Sequence, residues 1–252
     1  MCAQLRTLLA FLAVTATGPT GHGSRFIDNT AVEQLVELAN KALAFRQGQR
    51  DELGMKEHEN CAHAVARKTL GDVTSLNITT LEAGVRVGNT YAYNCVPPQA
   101  KCSLDIRISP HVRPDEMKDM LDTWCEECTK DADAGSSVSW EFIGDGAMKH
   151  ATTNTDRAIN PWYAVFCDAL EGMGCKIVPQ IFPAATDSRF LRALGIRALG
   201  FSPMRKTEIM LHEHDEYIPE STYLEGIGVY VTLLEKLGSQ GKTIDSAGKV
   251  SA

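Results

Sequence analysis

Residues 183–216 concentrate the side chains that can bind an anion or a metal. The segment reads PAATDSRFLRALGIRALGFSPMRKTEIMLHEHDE and places Arg189 in the first turn of a predicted helix. The free amides at a helix start and a nearby arginine together bind a carboxylate well. We therefore predict an anion site at Arg189, with a structural salt bridge as the alternative.

Five consecutive residues, His212, Glu213, His214, Asp215 and Glu216, combine two histidines with three acids. In an extended chain both histidines point to one side. Imidazole beside carboxylates is typical of a divalent metal site, with zinc the usual occupant. The alternative is a polar loop with surface histidines. An anion site and a metal ligand 23 residues apart indicate a metallohydrolase whose substrate carries a free carboxylate.

Three polar residues of the amino-terminal half are weaker candidates for a site. His22 lies in the turn GHGS at 21–24, where glycines let the backbone and the ring approach a ligand closely. A solvated turn histidine is the alternative. Asn94 and Arg107 are 13 residues apart on neighbouring predicted strands, with both side chains expected on one face.

The cysteines are interpreted as structural. Cys125 and Cys128 have the CxxC spacing of metal and redox sites, but no second pair lies at a matching spacing. Because Cys128 falls on the apolar face of a predicted helix, a core thiol is the favoured interpretation. Eight cysteines spread over 252 residues fit reduced thiols better than a disulfide framework, which predicts a cytoplasmic protein.

Charge and hydropathy argue against nucleic-acid and membrane partners. The net charge is −7, and there is no basic run to neutralise phosphates. Residues 1–14 contain the apolar run LLAFLAV, which is typical of a buried strand or of a secretory signal; we favour the strand. No other segment approaches the roughly 20 apolar residues of a membrane span.

Hydrophobic periodicity predicts a ferredoxin-like domain in the first part of the chain. Strands are predicted at 13–18, 73–78, 82–94 (interrupted by VGNTY), 102–109 and 138–143, and helices start near 30 and at 114. The order matches an antiparallel sheet with two helices on one face. The residues that the first helix is expected to bury are Val32, Leu35, Val36, Ala39, Ala42 and Leu43.

The second part alternates helices and strands, as part of an α/β sheet does. Helices are predicted from 160, at 187–195 and at 220–237, and strands at 176–182 and 197–201. The last helix is expected to turn Leu224, Ile227, Val231 and Leu234 inward. The predicted fold class is therefore α+β / α/β. We divide the chain into an atypical start (1–13), a ferredoxin-like lid and dimerisation domain (14–145), the carboxy-terminal part of a catalytic domain (146–238) and a disordered tail (239–252).

Several segments together resemble the aminoacylases (N-acyl-L-amino-acid amidohydrolases). These belong to the co-catalytic zinc metallopeptidase family with carboxypeptidase G and succinyl-diaminopimelate desuccinylase. The resemblance runs from about residue 14 to 237. The matching segments are GHGSRF at 21–26, YNCVPP at 93–98, LDIRISP at 104–110, NPWYAVF at 160–166, PAATDSRF at 183–190, ALGFSPM at 198–204 and LHEHDE at 211–216.

The resemblance implies zinc-dependent hydrolysis of N-acyl-L-amino acids to a carboxylate and a free amino acid. It implies that His212 is a zinc ligand, with Glu216 in the family's His-x-x-x-Glu pattern. Arg189 and the backbone of Gly200 are implied to hold the substrate's α-carboxylate.

The lid residues receive roles by the same resemblance. Asn94 and Arg107 are implied to bind substrate. In a homodimer paired through the lid, His22 is implied to reach the partner subunit's active site and to stabilise the oxyanion.

Two features depart from the family pattern. The first part of the family's catalytic domain, which carries the other ligands of its two zinc ions and the general base, is not found in this sequence. At most one zinc ligand is therefore expected here, and the chain alone is expected to be inactive. An insertion, RVGNTY at 86–91, precedes Asn94. A non-catalytic dimerisation module and a metalloexopeptidase of the same family are the alternative functions.

Overall fold

The computed structural model describes residues 2–6, 8–54, 68–131, 135–144, 151–182, 186–205, 207–208, 210 and 213–246, with the backbone alone for 2–6, 243 and 246. The strands in these ranges are β1 Cys2–Arg6, β2 Leu8–Thr17, β3 Gly21–His22, β4 Ser75–Ala83, β5 Arg86–Val87, β6 Thr90–Tyr91, β7 Cys95–Val96, β8 Gln99–Ile108, β9 Ser137–Phe142, β10 Val178–Phe182 and β11 Gly200–Ser202. The helices are α1 Ala31–Glu52, α2 Pro114–Cys128, α3 Pro161–Gly172, α4 Ser188–Ala193, α5 Glu220–Gly238 and α6 Thr243–Ser246. Among these described helices, none is both long and apolar enough to cross a membrane.

The chain forms two compact units. The lid unit comprises Arg6–His150 and Ile181–Ala185. The carboxy-terminal unit comprises Met1–Leu5, Ala151–Gln180 and Thr186–Ala252.

The lid unit has the ferredoxin-like fold that the sequence predicts. Its four-stranded sheet has the order β4-β8-β2-β9, and every neighbouring pair is antiparallel. Helices α1 and α2 follow β2 and β8 in the chain and cover one face of the sheet. Along β8, Leu104, Ile106 and Ile108 are buried, while Asp105 and Arg107 alternate with them on the polar face.

The central strand β2 is longer than predicted, because it begins at Leu8 rather than at residue 13. The buried side chains of Leu8, Ala10, Leu12, Val14 and Ala16 alternate along it. The apolar run near the start of the sequence is therefore part of the lid core, as the strand interpretation expects.

Helix α1 begins where predicted and buries Leu35 and Ala42 as expected, but its buried face differs from the prediction at two positions. Thr30 and Glu33 form a reciprocal capping box, in which each backbone N–H donates to the other side chain, at 2.9 and 3.2 Å. The helix continues to Glu52. Leu38 is fully buried, whereas Val36 and Leu43 are about half-exposed, so the prediction that these two lie in the core is wrong.

The carboxy-terminal unit combines a small sheet with packed helices. Its sheet has the order β10-β1-β11, with Ala3 opposite Phe201 in the antiparallel pair β1–β11. Helices α3 and α5 share a core in which Phe166 and Leu170 meet Val229. This alternation of strands and helices agrees with the predicted α/β character.

Helix α5 is the second helix whose predicted face differs from the structure. Val229 and Leu233 are its buried large side chains. The four residues that were predicted to point inward are 47–71% exposed, and they are Leu224, Ile227, Val231 and Leu234.

Candidate functional site

Two short strands bring His22 and Asn94 together in the lid unit. Strands β3 and β7 pair antiparallel, with His22 opposite Cys95. The Gly23 backbone N–H donates to the Asn94 carbonyl at 2.7 Å. A Cβ at position 23 would lie 3.4 Å from that carbonyl oxygen, which is an ordinary van der Waals contact, so the pairing of the two segments does not depend on glycine there.

The ring of His22 is oriented by Ser24. The Ser24 backbone N–H donates to His22 Nδ1 at 3.2 Å, and the Ser24 hydroxyl lies 2.8 Å from the same nitrogen. A ring nitrogen that accepts a backbone N–H carries no proton, so neutral His22 holds its proton on Nε2. Its Nε2 lies 3.4 Å from Asn94 Nδ2, and a flip of the Asn94 amide places the oxygen there as the matching acceptor.

The insertion at 86–91 leaves this pair intact. It folds as a separate hairpin, β5–β6, in which Gly88 has a positive φ of 59°. The Arg86 guanidinium lies 5.6 Å from the centre of the Tyr91 ring. Because the hairpin closes on itself, Asn94 still faces His22.

Arg107 lies on the polar face of the sheet but away from the pair. Its guanidinium donates two hydrogen bonds to Asp105, at 2.7 and 2.8 Å, and lies 5.9 Å from the Phe11 ring centre. Arg107 is opposite Leu9 in the β2–β8 ladder, at the far end of β8 from Asn94. At about 3.4 Å per residue, the eight steps from the start of β8 to Arg107 cover about 27 Å. One chain therefore does not bring Arg107 to His22.

In the carboxy-terminal unit, Arg189 lies in the first turn of α4, as predicted. Its Nε is buried and has no hydrogen-bond partner among the described residues, and its guanidinium carbon lies 4.6 Å from the Phe190 ring centre. A buried N–H without an acceptor needs a partner. Asp187 precedes the helix but makes no side-chain cap. Gly200 begins β11 and lies opposite Gln4 of β1.

Arg192 is a residue that the sequence analysis missed. Its Nε donates to the Ala151 carbonyl at 2.6 Å, and its Nη1 donates to the Ser188 hydroxyl at 2.9 Å and the Ala198 carbonyl at 3.3 Å. Burial lowers the pKa of this guanidinium. Arg192 therefore ties α4 to the strand that starts at Gly200. An arginine in the last turn of a helix is ordinary in sequence, so no signal marked it.

The acidic run at 212–216 does not form a metal site in the part of the chain that the structure describes. His212 lies outside the described residues. The chain turns at His214 and Asp215, where Asp215 has a φ of 62°, so the run is not extended at these two residues. Among the described side chains, no three His, Cys, Asp or Glu residues lie close enough to hold a metal ion. The described residues therefore do not by themselves form a complete zinc centre.

The CxxC pair is part of the lid core. Cys125 and Cys128 are free and buried, as is Cys102 of β8. Burial raises the pKa of Cys125 to about 12 and the pKa values of Cys102 and Cys128 to about 11. These thiols stay protonated at neutral pH and are poor nucleophiles and ligands.

Comparison with known proteins gives close sequence relatives. Aminoacylase-1 of Dictyostelium discoideum is 42% identical over 226 residues, which cover 89% of this chain and 52% of that protein. Aminoacylase-1A of Rattus norvegicus is 40% identical over 229 residues, which cover 91% of this chain and 50% of that protein. The chain thus spans about half the length of the relatives that it matches.

A solved structure and a family model agree with the fold. The dipeptidase Dug1p of Saccharomyces cerevisiae superposes with a TM-score of 0.59 and 13% identity, over 95% of this chain and 57% of that chain. The model of the peptidase dimerisation domain matches residues 8–133, which begin at β2 and include α1 and α2. The chain belongs to the peptidase dimerisation domain family.

Proposed function

We propose that this chain supplies the lid and the carboxy-terminal part of a zinc-dependent hydrolase that cleaves N-acyl-L-amino acids into a carboxylate and a free amino acid. The observation that carries the proposal is the exposed His22–Asn94 pair, whose ring presents an N–H at Nε2. Sequence relatives named aminoacylase at about 40% identity support the choice of substrate class.

The proposed chemistry assigns one task to each side chain. Water attack on the acyl carbonyl of an amide places negative charge on the carbonyl oxygen, and an N–H donor stabilises that charge. His22 supplies this donor. Arg189, whose Nε has no hydrogen-bond partner among the described residues, binds the substrate's α-carboxylate as a charge-assisted pair.

The family resemblance also implies zinc, which would activate the attacking water. His212 is the proposed ligand from this chain. Because the described residues do not complete a metal centre, the tasks assigned here are those of His22, Asn94 and Arg189 alone.

A homodimer paired through the lid explains why Arg107 and Asn94 lie at opposite ends of β8. The edge strands of the lid sheet are β4 and β9. If a two-fold axis pairs either edge strand antiparallel with its copy, the two sheets run in opposite directions. The end of one lid that carries Arg107 then lies beside the partner's end that carries His22. To bind substrate there, Arg107 would have to use guanidinium N–H groups that do not already donate to Asp105, or give up one of those two hydrogen bonds.

The test uses a chimera in which this chain replaces the matching half of the Dictyostelium relative. We expect hydrolysis of N-acetyl-methionine that is lost with a chelator and restored by zinc. His22→Ala should lower kcat about 10²–10³-fold, as loss of one oxyanion donor does. His22→Gln, which keeps an N–H donor, should retain part of the kcat that His22→Ala loses. His111→Ala, which removes an exposed lid histidine, is the matched control.

Each contrary result has a defined meaning. A His22→Ala chimera with unchanged kcat would overturn the oxyanion assignment. A chimera that forms dimers but hydrolyses neither N-acyl amino acids nor dipeptides would favour the dimerisation module. Cleavage of dipeptides alone would favour the exopeptidase.

A further inference from the structure

The inserted hairpin β5–β6 carries an arginine that is held on a tyrosine ring. Arg86 is opposite Tyr91 in the two-stranded ladder, and its guanidinium carbon lies 5.6 Å from the centre of that ring. The ring rests on Gly84, where a Cβ would come within 2.8 Å of the tyrosine Cδ1. Gly84 also has a φ of 110°, so both the backbone and the ring favour glycine there. The backbone thus seats the ring, and the ring restrains the guanidinium.

The guanidinium of Arg86 is restrained but has no anionic partner. Within the part of the chain that the structure describes, Arg86 forms no ion pair with a carboxylate, and its side chain is exposed. A guanidinium that stacks on an aromatic face keeps its in-plane N–H groups free, and these match the two oxygens of a carboxylate. The hairpin therefore presents a donor fork without an acceptor.

The two segments that contain His22 and the hairpin carry no acidic residue. Residues 1–27 and 83–104 contain no aspartate or glutamate, although the chain has 32 acids in 252 residues. Arg25, three residues after His22, adds a second exposed cation. In a chain with a net charge of −7, such a surface is a local exception that favours an anionic ligand.

The hairpin is next to the His22–Asn94 pair. One hydrogen-bonded turn over residues 92–95 joins the hairpin to β7. Tyr91 and Asn94 are three residues apart, so their Cα atoms lie within about 11 Å of each other. Arg86 is therefore near enough to contact the same bound molecule as His22. Because both belong to one lid, this holds whichever subunit's site the lid serves.

We infer that Arg86 binds a carboxylate at the far end of the substrate's acyl group. The inference rests on the proposed function, in which His22 donates to the oxygen of the acyl carbonyl. The carbons beyond that carbonyl belong to the acyl group, and a dicarboxylic acyl group such as glutaryl places its second carboxylate a few bonds farther on. The substrates that this site favours are N-acyl amino acids whose acyl group ends in a carboxylate.

Two other roles fit the hairpin less well. Stacking that only stabilises structure does not require a free guanidinium, since Arg107 lies over the Phe11 ring and also donates to Asp105. An aromatic acyl group would find an open ring at Tyr93, which is 89% exposed, but it would leave the N–H groups of Arg86 without an acceptor.

The first test measures binding by the chain itself and needs no hydrolysis. N-glutaryl-methionine amide ends in a carboxylate, and N-pentanoyl-methionine amide has the same chain length but ends in a methyl group. Both lack the α-carboxylate, so Arg189 cannot account for a difference between them. In an NMR titration the glutaryl probe should bind at least about fivefold more tightly and shift the Nε–Hε resonance of Arg86. Arg86→Gln should lose this preference, and Arg50→Gln, which changes an exposed arginine of α1, is the matched control.

The second test uses the chimera and compares kcat/KM for N-glutaryl-methionine and N-pentanoyl-methionine. The ratio of the two values should fall at least about fivefold in Arg86→Gln. It should fall less in Arg86→Lys, which keeps the charge without the planar fork. Tyr91→Leu should also lower the ratio because the guanidinium loses its seat, whereas Tyr91→Phe should preserve it.

The possible results separate the inference from the proposed function. Equal binding of the two amides, or loss of the preference in Arg50→Gln as well as in Arg86→Gln, would overturn the carboxylate site. Tighter binding of an N-benzoyl amide would show that the rings select the acyl group and would overturn it too. Circular dichroism of each variant establishes that the fold is intact. A chain that binds the glutaryl amide through Arg86 in a chimera without hydrolysis would overturn the proposed function and leave the site standing. Hydrolysis of N-acetyl-methionine without a glutaryl preference would do the reverse.

Discussion

The Nε2 atom of His22 lies 3.4 Å from the side-chain amide of Asn94, which directly precedes the strand paired with that of His22. Because Ser24 donates its backbone N–H to the other ring nitrogen, Nε2 carries the proton of the neutral ring. A protonated Nε2 is a hydrogen-bond donor and offers no lone pair to a water proton. The pair therefore suits oxyanion stabilisation and does not suit general-base catalysis.

Two leucines of α1 test which face of that helix is buried. Leu38 is fully buried and Leu43 is 47% exposed. We expect Leu38→Ala to lower the free energy of unfolding by about 2–5 kcal/mol, because it leaves a cavity in the core. Leu43→Ala should change it by no more than about 0.5 kcal/mol. Urea unfolding compares the same substitution at both sites, and equal losses would show that the outer face of α1 is also covered.

The lid topology was predictable because local patterns and chain order leave few arrangements. Alternation along β8 marks its buried residues, and Pro114 marks the start of α2. Strands and helices in this order form few antiparallel sheets with helices on one face.

Helix faces were less predictable when apolar residues surround the helix. On α1, Val36 and Leu43 lie close to the buried stripe of Leu35 and Leu38, so periodicity alone does not fix the rotation. On α5 the more regular apolar stripe is the exposed one. The sequence shows which side chains are apolar, and only the tertiary partner decides which of them are covered.

Contacts that join distant segments left no mark in the sequence. Arg192 binds carbonyls 41 residues before it and 6 residues after it. The turn at Asp215 depends on a left-handed backbone that aspartate adopts only occasionally. Both follow from how the chain packs and not from any motif.

Gly18 tests the junction between β2 and α1. A Cβ added there would lie 2.6 Å from the Ala31 backbone nitrogen and 2.8 Å from the Asn29 carbonyl oxygen. We expect Gly18→Ala to lower the free energy of unfolding by at least about 1–3 kcal/mol, because backbone atoms cannot move aside cheaply. The control is Gly48→Ala in the interior of α1, where a Cβ would meet nothing within 4 Å beyond the adjoining residues and backbone of its own helix. That change should raise stability by about 0.5–1 kcal/mol, since alanine is the better helix former. If both substitutions changed the free energy of unfolding in the same direction, the close packing at Gly18 would be contradicted.

The buried thiols predict a loss of stability at alkaline pH. The pKa of Cys125 is raised to about 12 and that of Cys128 to about 11, from an ordinary value of 9.0, chiefly by burial. Above pH 9 the unfolded thiols ionise while the folded ones keep their protons. The stabilisation is therefore complete below pH 9 and declines as the pH rises toward 11–12.

Two measurements check the thiol prediction. Unfolding midpoints between pH 8 and pH 11 should fall less steeply in Cys125→Ala and Cys128→Ala than in the parent chain, with exposed Cys95→Ala as the control. In native labelling with iodoacetamide at neutral pH, mass spectrometry should find Cys95 modified before Cys125 and Cys128. Equal labelling rates would show that α2 opens readily.

Arg189 is expected to distinguish substrates by their carboxylate. In the chimera, Arg189→Ala should raise KM for an N-acyl amino acid by about 10–150-fold, the equivalent of a charged hydrogen bond of about 1.5–3 kcal/mol. For the amidated analogue, which has no negative charge, the same substitution should change KM little. Arg189→Lys should recover part of the affinity, because it keeps the charge without the planar fork. Equal losses on both substrates would make Arg189 a structural residue.

His22 is expected to act across the dimer. One chimera carries His22→Ala in its lid, and a second carries His212→Ala at the proposed zinc ligand. Each should be inactive alone. If His22 serves the partner's site, a heterodimer contains one site with an intact lid and an intact zinc ligand, so mixing under conditions that exchange subunits should restore activity.

The alternative geometry gives the opposite result. If His22 serves its own subunit, each site of the heterodimer carries one lesion and the mixture stays inactive. Native mass spectrometry establishes that heterodimers have formed, so persistent inactivity cannot be blamed on failed exchange. A mixture of His111→Ala with His212→Ala is the control, since it should show activity before and after exchange. Restoration only in the His22 mixture would assign the Nε2–H of His22 to the partner's oxyanion, where one donor is worth about 10²–10³ in kcat.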